Sequence, residues 1–413
     1  MMAVLALVLL STAGATRAAA PPPPNIVIFL ADDLGWKDIG YHDSEIKTPH
    51  LDALANGGVR LEQFYVQPVC SPTRSSLMTG RYPLRMGLQV HVIRPYAQYG
   101  LPLEERTLPA ALKEVGYETA IVGKWHLGMH TPVFLPTRRG FDHQYGHYCG
   151  ALDYWTHNRD GGHDWHRDDK ANYDEGYTTN LIGDECVRLI AEHNVDKPLL
   201  LYVPFNAPHA PLQAPDEYLA KYKDIRNKNR KSYAAMVDCV DTTVGRVVDA
   251  LKRRGMRDNT LILFSSDNGG PEKLGANNGP LRGQKGTLYE GGVRVPAFAN
   301  WPKRLKPAVV NEPLHIVDWY PTLLTLAGAS LDQPLPLDGK NAWDTIAQGA
   351  KSPRTEIVHN VEPTRAAIRM GDWKLIEHGA DGAELFNIAS DPGETTNLAD
   401  EQPQKRSELH ARL

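Results

Sequence analysis

The sequence predicts a doubly wound α/β sheet followed by a smaller α+β piece. Three observations carry that prediction. Short runs rich in β-branched residues recur along the chain, reading as strands buried on both faces in a parallel sheet. Amphipathic helical patterns lie between them. Beyond residue 335 the texture changes to apolar segments separated by Gly-Asp and Asp-Gly turns, as in antiparallel hairpins.

Taken in order, residues 3–10 form an unbroken apolar run, and small residues follow up to Ala18-Ala19-Ala20. Residues 1–20 therefore read as an export signal, although no Lys or Arg precedes the apolar run. The run is too short to cross a bilayer, which needs about 20 apolar residues. Four prolines, 21–24, make a stiff leader into the first strand. The expected strands are 25–30, 119–122, 199–203, 261–264 and 293–299. The clearest helix is 233–251, where Met236, Val237, Val240, Val244, Val247, Val248 and Leu251 share one face. Gly255 supplies its stop. These elements define a main domain over 21–335. A second domain over 336–413 holds a hairpin across 365–377, a strand at 384–388 and a last helix at 404–413.

Bulk properties exclude several classes of function. The 413 residues are 42% hydrophobic and 23% charged, with a formal net charge of -4. Basic residues form no long stripe, so nucleic acid is not an expected partner. The locally basic run 221–231 reads as a solvated approach to a helix. No Asn-x-Ser/Thr sequon occurs, which points to a periplasmic or secreted bacterial enzyme before a lysosomal one.

The polar residues beside the strand ends carry the functional reading. Asp32-Asp33 follows the first strand, Lys124 and His126 the second, His209 the third, and Asp267-Asn268 the fourth. Ligands of open α/β sheets bind beyond the carboxyl ends of the strands, so four segments deliver polar groups to one rim. Asp32, Asp33, Asp267 and Asn268 offer oxygen alone, which suits a hard divalent cation, calcium before magnesium. Zinc would call for histidine or thiolate at closer spacing. His143 and His147 stand four apart, but no thiolate or carboxylate completes a metal set with them. Segment 160–169 reads as a surface loop, with Trp165 as a candidate platform for a sugar. Residues 283–287 lack the Gly-Lys adjacency of a phosphate-binding loop, and no G-x-S-x-G elbow is present.

Cys70-Ser71-Pro72-Thr73-Arg74 followed by Thr79-Gly80 reads C-x-P-x-R-x4-T-G. Together with Asn25-Ile26-Val27, Asp32-Asp33, Gly116-Tyr117-Glu118-Thr119, Gly123-Lys124-Trp125-His126, Ser266-Asp267-Asn268-Gly269, Lys285 and Glu290-Gly291-Gly292, it resembles the type I, formylglycine-dependent sulfatase family over nearly the whole mature chain. Residues 135–142 (Leu-Pro-Thr-Arg-Arg-Gly-Phe-Asp) and 209–213 (His-Ala-Pro-Leu-Gln) resemble most the arylsulfatase B group, the N-acetylgalactosamine-4-sulfatases.

The resemblance implies an alkaline-phosphatase-like mixed sheet. It implies that a maturation enzyme converts Cys70 to formylglycine, and that Asp32, Asp33, Cys70, Asp267 and Asn268 hold one calcium ion. Arg74, Lys124, His126, His209 and Lys285 match the remaining active-site positions, and the substrate would be an aryl sulfate or a sulfated carbohydrate. The chemistry agrees, because sulfuryl transfer develops negative charge that a cation, Arg74, Lys124 and Lys285 would stabilise. Hydrated formylglycine has one hydroxyl to attack sulfur and a second that lets sulfate leave by C–O cleavage. His126 resembles the base for that release, and Asp267 would help to activate the attacking hydroxyl. His209 and Lys285 would bind sulfate and protonate the leaving oxygen. The alternative within the same superfamily is a phosphodiester or phosphonate monoester hydrolase. With Cys70 modified, Cys149, Cys186 and Cys239 remain, so at most one disulfide forms.

Overall fold

Strand Asn25–Ala31 is buried at every position because both of its faces are covered. Val27 and Phe29 pack on one side with the long helix Lys228–Arg253. Ile26, Ile28 and Leu30 pack on the other, in the core that Leu77, Leu108 and Leu323 complete. This alternation, read in the computed structural model, places the strand at the centre of the molecule. The structure describes residues 22–413, so the expected export signal at 1–20 lies outside the described residues.

The main sheet has ten strands in the order Ala308–Val310, Val59–Leu61, Ala297–Asn300, Thr260–Ser266, Asn25–Ala31, Leu199–Pro204, Glu118–Lys124, His143–His147, His166–Arg167 and Lys170–Ala171. Thr260–Ser266 through His143–His147 run parallel to one another. Ala297–Asn300 pairs antiparallel with Thr260–Ser266. The sheet is therefore mixed, with a parallel centre.

Four expected strands lie where the β-branched runs stand. The fifth, 293–299, needs correction. Glu290–Val293 is a helical turn and only Ala297–Asn300 is strand, running antiparallel. Pro296, with no N–H and a fixed φ, separates the two. His143–His147 is a strand that the reading missed, because its polar residues carry no apolar signature. The long helix begins at Lys228, capped by the Asn227 side chain accepting from the Arg230 N–H, and Gly255 takes the left-handed φ of 68° after its end.

The C-terminal sheet is an antiparallel meander of Glu356–Glu362, Arg365–Met370, Trp373–Glu377 and Ala383–Asn387, followed by helix Pro403–Arg412. Its first strand was not expected. The four cysteines are buried and unpaired, so the disulfide that the count allowed is not formed.

A buried ion cluster ties the small C-terminal sheet to the helical turn Glu290–Val293 of the main part. Lys374 Nζ, from the small sheet, lies 2.9 Å from both Glu290 and Glu394. Tyr65 O–H donates to Glu290 at 2.7 Å, and the Glu290 N–H donates to Glu394 at 2.6 Å. Burial opposes the charge on Glu290, yet Lys374, Arg294 and Arg369 outweigh it and hold the carboxyl down to about 2. For Glu394, burial and the neighbouring Glu290 outweigh Lys374 and push the carboxyl up to about 7.

The sign of the linkage follows. An unfolded Glu394 ionises near the ordinary glutamate value of 4.5, whereas the folded one keeps its proton up to about 7. Its contribution is therefore complete below pH 4.5 and is lost as pH rises toward 7. Melting temperatures measured across that window should fall more steeply for the wild type than for Glu394→Gln. Equal slopes would show that Glu394 does not titrate there.

Candidate active site

Cys70 begins the helix Cys70–Thr79, all ten residues of which are buried. Pro72 is tolerated because it stands in the first turn, where its missing N–H has no helical partner to lose. Arg74 lies one turn on from Cys70, so both side chains share a helix face. Gly80 ends the helix at a φ of 69°, and a Cβ there would come 2.8 Å from Tyr320. That contact and that conformation explain the Thr-Gly of the motif.

The strand ends close around this helix. Cys70 Sγ lies 3.5 Å from Asp32 Oδ1, and Lys124 Nζ is 2.5 Å from Asp32 Oδ2. Arg74 donates through Nε and a terminal nitrogen to Asp267 Oδ2 at 3.0 and 2.8 Å, and stands 3.7 Å from Asp32. Lys285 Nζ reaches Asp33 at 2.6 Å, and Asn268 donates to Asp33 Oδ1 at 2.7 Å. His209 Nε2 is 3.7 Å from Asp33. The structure thus brings together every residue picked from the sequence, His126 lining the cleft beside Cys70, His209 and Lys285.

Two of these residues hold sparsely populated backbone conformations: Asp33 at a φ of 73° and His126 at 59°. Such strain persists only where surrounding contacts over-determine it. For His126 the contacts are visible. Its Nε2 faces the Ile93 carbonyl at 3.0 Å and so must carry the proton, which leaves Nδ1 as an acceptor with no partner. Gly150 makes room for the ring, since a Cβ there would come 2.5 Å from Cε1.

Electrostatics separate the carboxylates. Burial opposes the charge on Asp32, but Lys124, His209, Arg74 and Lys285 outweigh it and hold its carboxyl well below the usual range. Burial and the charge of Asp32 push Asp267 up to about 6 against Arg74 and Lys124. Burial, with Asp267 adding to it, pushes the Cys70 thiol up to about 12, so the unconverted side chain is a neutral thiol. Burial also drives His126 well below the usual imidazole range, with Lys124 and Arg74 adding to the effect.

The carboxylates of Asp32 and Asp33 offer oxygen, the donor type a hard cation takes. Asp32, Asp33, Cys70 and His209 each offer an atom within 4.8 Å of the others, and Asn268 Oδ1 is buried without a hydrogen-bond partner. His209 joins this group although the sequence suggested it only for catalysis. Asp267 turns Oδ2 to Arg74, while its Oδ1 accepts from the Asp33 N–H at 3.3 Å.

Above the cluster opens a cleft of about 230 Å³ whose lining includes His91, Arg94 and Arg159. These three were missed. They lie outside every motif, and basic residues flanking motif segments were the only available signal. Trp165 is corrected in the other direction. It is fully buried, stacked at 4.9 Å on His157 and edge-on at 5.2 Å to Tyr145, and cannot receive a sugar. His143 pairs with Asp168 and Glu185, and His147 is buried with both ring nitrogens unpartnered.

Among the described residues no helix is long and apolar enough to cross a membrane. The family model described as Sulfatase matches residues 24–329, and the one described as N-sulphoglucosamine sulphohydrolase, C-terminal, matches 284–413. Arylsulfatase J of Mus musculus is 46% identical over 374 residues, covering 88% of this chain; the chain spans 62% of that relative's length. N-acetylgalactosamine-6-sulfatase of Rattus norvegicus is 35% identical over 397 residues, 90% of this chain and 74% of the relative. The crystal structure of Ps i-CgsB in complex with k-i-k-neocarrahexaose superposes with a TM-score of 0.89 at 36% identity, covering 94% of this chain and 91% of that one. With the family model spanning residues 24–329 and relatives 46% and 35% identical over 88% and 90% of its length, this chain belongs to the sulfatase family.

Proposed function

We propose that the protein hydrolyses sulfate monoesters of sulfated glycans, with N-acetylgalactosamine 4-sulfate as the preferred unit. One observation carries this reading. A buried Cys70 stands at a helix start 3.5 Å from Asp32, inside a ring of Arg74, Lys124 and Lys285 supplied by separate segments. The ring suits a reaction that accumulates negative charge on oxygen. The preference for the 4-sulfate rests on residues 135–142 and 209–213, which resemble the 4-sulfatases.

Converted Cys70 would supply two hydroxyls on one carbon, one to attack sulfur and one to let sulfate leave. Asp32, Asp33, Asp267, Asn268 and the converted Cys70 would hold a calcium ion, which would supply Lewis-acid polarisation of the sulfate. The chain's own residues do the rest. Arg74 fixes the Asp267 carboxylate through two hydrogen bonds, and the raised proton affinity of Asp267 suits it to take the proton of the attacking hydroxyl. His126, neutral and with Nδ1 free, accepts the second proton. Lys285, held above the usual lysine range by Asp33 although burial opposes its charge, stays protonated and binds sulfate. His209 holds Nδ1–H on the Ala210 carbonyl at 2.6 Å, so Nε2 is an acceptor in the neutral ring that burial favours and becomes a proton donor to the leaving oxygen only in the imidazolium form. The N-terminal apolar run and the absence of sequons support an exported bacterial enzyme.

The test is sulfate release by protein coexpressed with a formylglycine-generating enzyme, from chondroitin disaccharides sulfated at position 4 or 6. Release from the 4-sulfate, lost on chelation, is expected. Turnover of a matched aryl phosphonate, with no sulfate ester cleaved, would favour the phosphonate hydrolase reading instead.

A further inference from the structure

The cleft over the buried cluster holds positive charge that a single sulfate ester leaves unused. Inside, the carboxylates of Asp32, Asp33 and Asp267 face the cations of Arg74, Lys124 and Lys285, so the cluster is internally balanced. The cleft itself is different. No carboxylate belongs to its lining, while Arg94 and Arg159 do. Arg94 is exposed, and its guanidinium has neither an ion pair nor a hydrogen bond among the described residues. Arg159 is paired only with its neighbour Asp160 at 3.2 Å, and that carboxylate is 64% exposed. Surface pairs of this kind contribute little and exchange readily. The exposed ring of His91 stands in the same lining. Tyr96, two residues beyond Arg94, is 82% exposed, a large aromatic of the sort that covers sugar rings.

Guanidinium groups flanking a ligand cleft, one unpaired and one held only by an exposed neighbouring carboxylate, match planar oxyanions, which they can bind through paired hydrogen bonds. We propose that Arg94 and Arg159 form a second anion subsite. It takes a carboxylate or an additional sulfate on the sugar that carries the scissile ester or on the sugar next to it. The substrates selected are polyanionic glycans, in which one acidic group is removed and another anchors the chain. This deepens the sulfatase reading of the cleft and rests on it.

Binding separates the subsite from the chemistry. In a Cys70→Ala background, calorimetry would compare three disaccharides: the 4-sulfated form with its uronate, the same form with that carboxyl reduced to an alcohol, and the reduced form with a 6-sulfate added. Carboxyl reduction should weaken binding about tenfold, as expected for loss of one charge-assisted contact. If the subsite accepts sulfate equally, the 6-sulfate restores the loss; otherwise its anchor is the carboxylate. The Arg94→Gln/Arg159→Gln pair should weaken the intact ligand about tenfold or more and leave the reduced one unchanged. In matured enzyme the same pair should raise KM for the acidic disaccharide without changing kcat, and leave 4-nitrophenyl sulfate hydrolysis unaltered. Equal affinity for the intact, reduced and added-sulfate ligands, or equal weakening of all three by the variant, would overturn the subsite. Failure of wild-type enzyme to cleave any sulfate ester would sink the sulfatase reading instead, while the binding result would still decide the subsite.

Discussion

Cys70→Ala is expected to abolish sulfate release, with turnover falling by at least about 10⁴-fold, as removal of a covalent nucleophile does in other hydrolases. Stability should hardly change. The thiol is buried and neutral, its one polar contact is the 3.5 Å approach to Asp32, and alanine is a good helix former at that position. Sulfate release measured beside a thermal melt separates the two effects. Loss of activity with an unaltered melt supports a covalent role. Retained turnover would remove Cys70 from the mechanism and make Asp267 or a bound water the candidate nucleophile. Cys70→Ser is the sharper control, because serine offers one hydroxyl where the hydrate has two. It should release at most one equivalent of alcohol per enzyme and then stop.

Lys374→Met should be the most destabilising single change outside the active site. Lys374 sits between two buried carboxylates at 2.9 Å each, and removing its charge leaves both facing each other in the interior. Breaking a buried ion pair from one side costs about 3–5 kcal/mol. Glu394, already pushed up to about 7, will take up a proton and recover part of that loss. Adding Glu394→Gln to Lys374→Met should therefore restore stability toward the wild type. A double variant no better than the single one would show that Lys374 acts by packing. Activity should fall as well, because Glu290 ends the loop that carries Lys285 onto Asp33. Thermal unfolding and kcat measured on both variants distinguish these outcomes.

The parts legible in the sequence were those whose physics is local. A strand buried on both faces must be apolar throughout, so the four central parallel strands were readable, and the polar residues after them had one rim to occupy. The C-x-P-x-R-x4-T-G motif singled out Cys70 and Arg74, whereas their shared helix face comes from the fold. What failed was set by distant partners. His143–His147 is strand because Glu118–Lys124 pairs with it in register, a fact that its own polar residues do not encode. Trp165 has the composition of a sugar platform and is a core residue, since His157 and Tyr145 close over it. Arg94 and Arg159 gained meaning only when two unrelated loops came to line one cleft.

The complete burial of helix Cys70–Thr79 also imposes a timetable. Cys70 is only 2% exposed, and the chain on either side of it is covered as well, so an enzyme that modifies it can find no extended segment to grip in the folded protein. If Cys70 is converted as proposed, conversion would have to come before the helix closes into the core, during synthesis or export. A molecule that folds first is committed to its thiol for as long as it stays folded. Under that proposal, the fraction of active enzyme in a preparation would be decided by a race between modification and folding, and adding a maturation enzyme afterwards would not raise it.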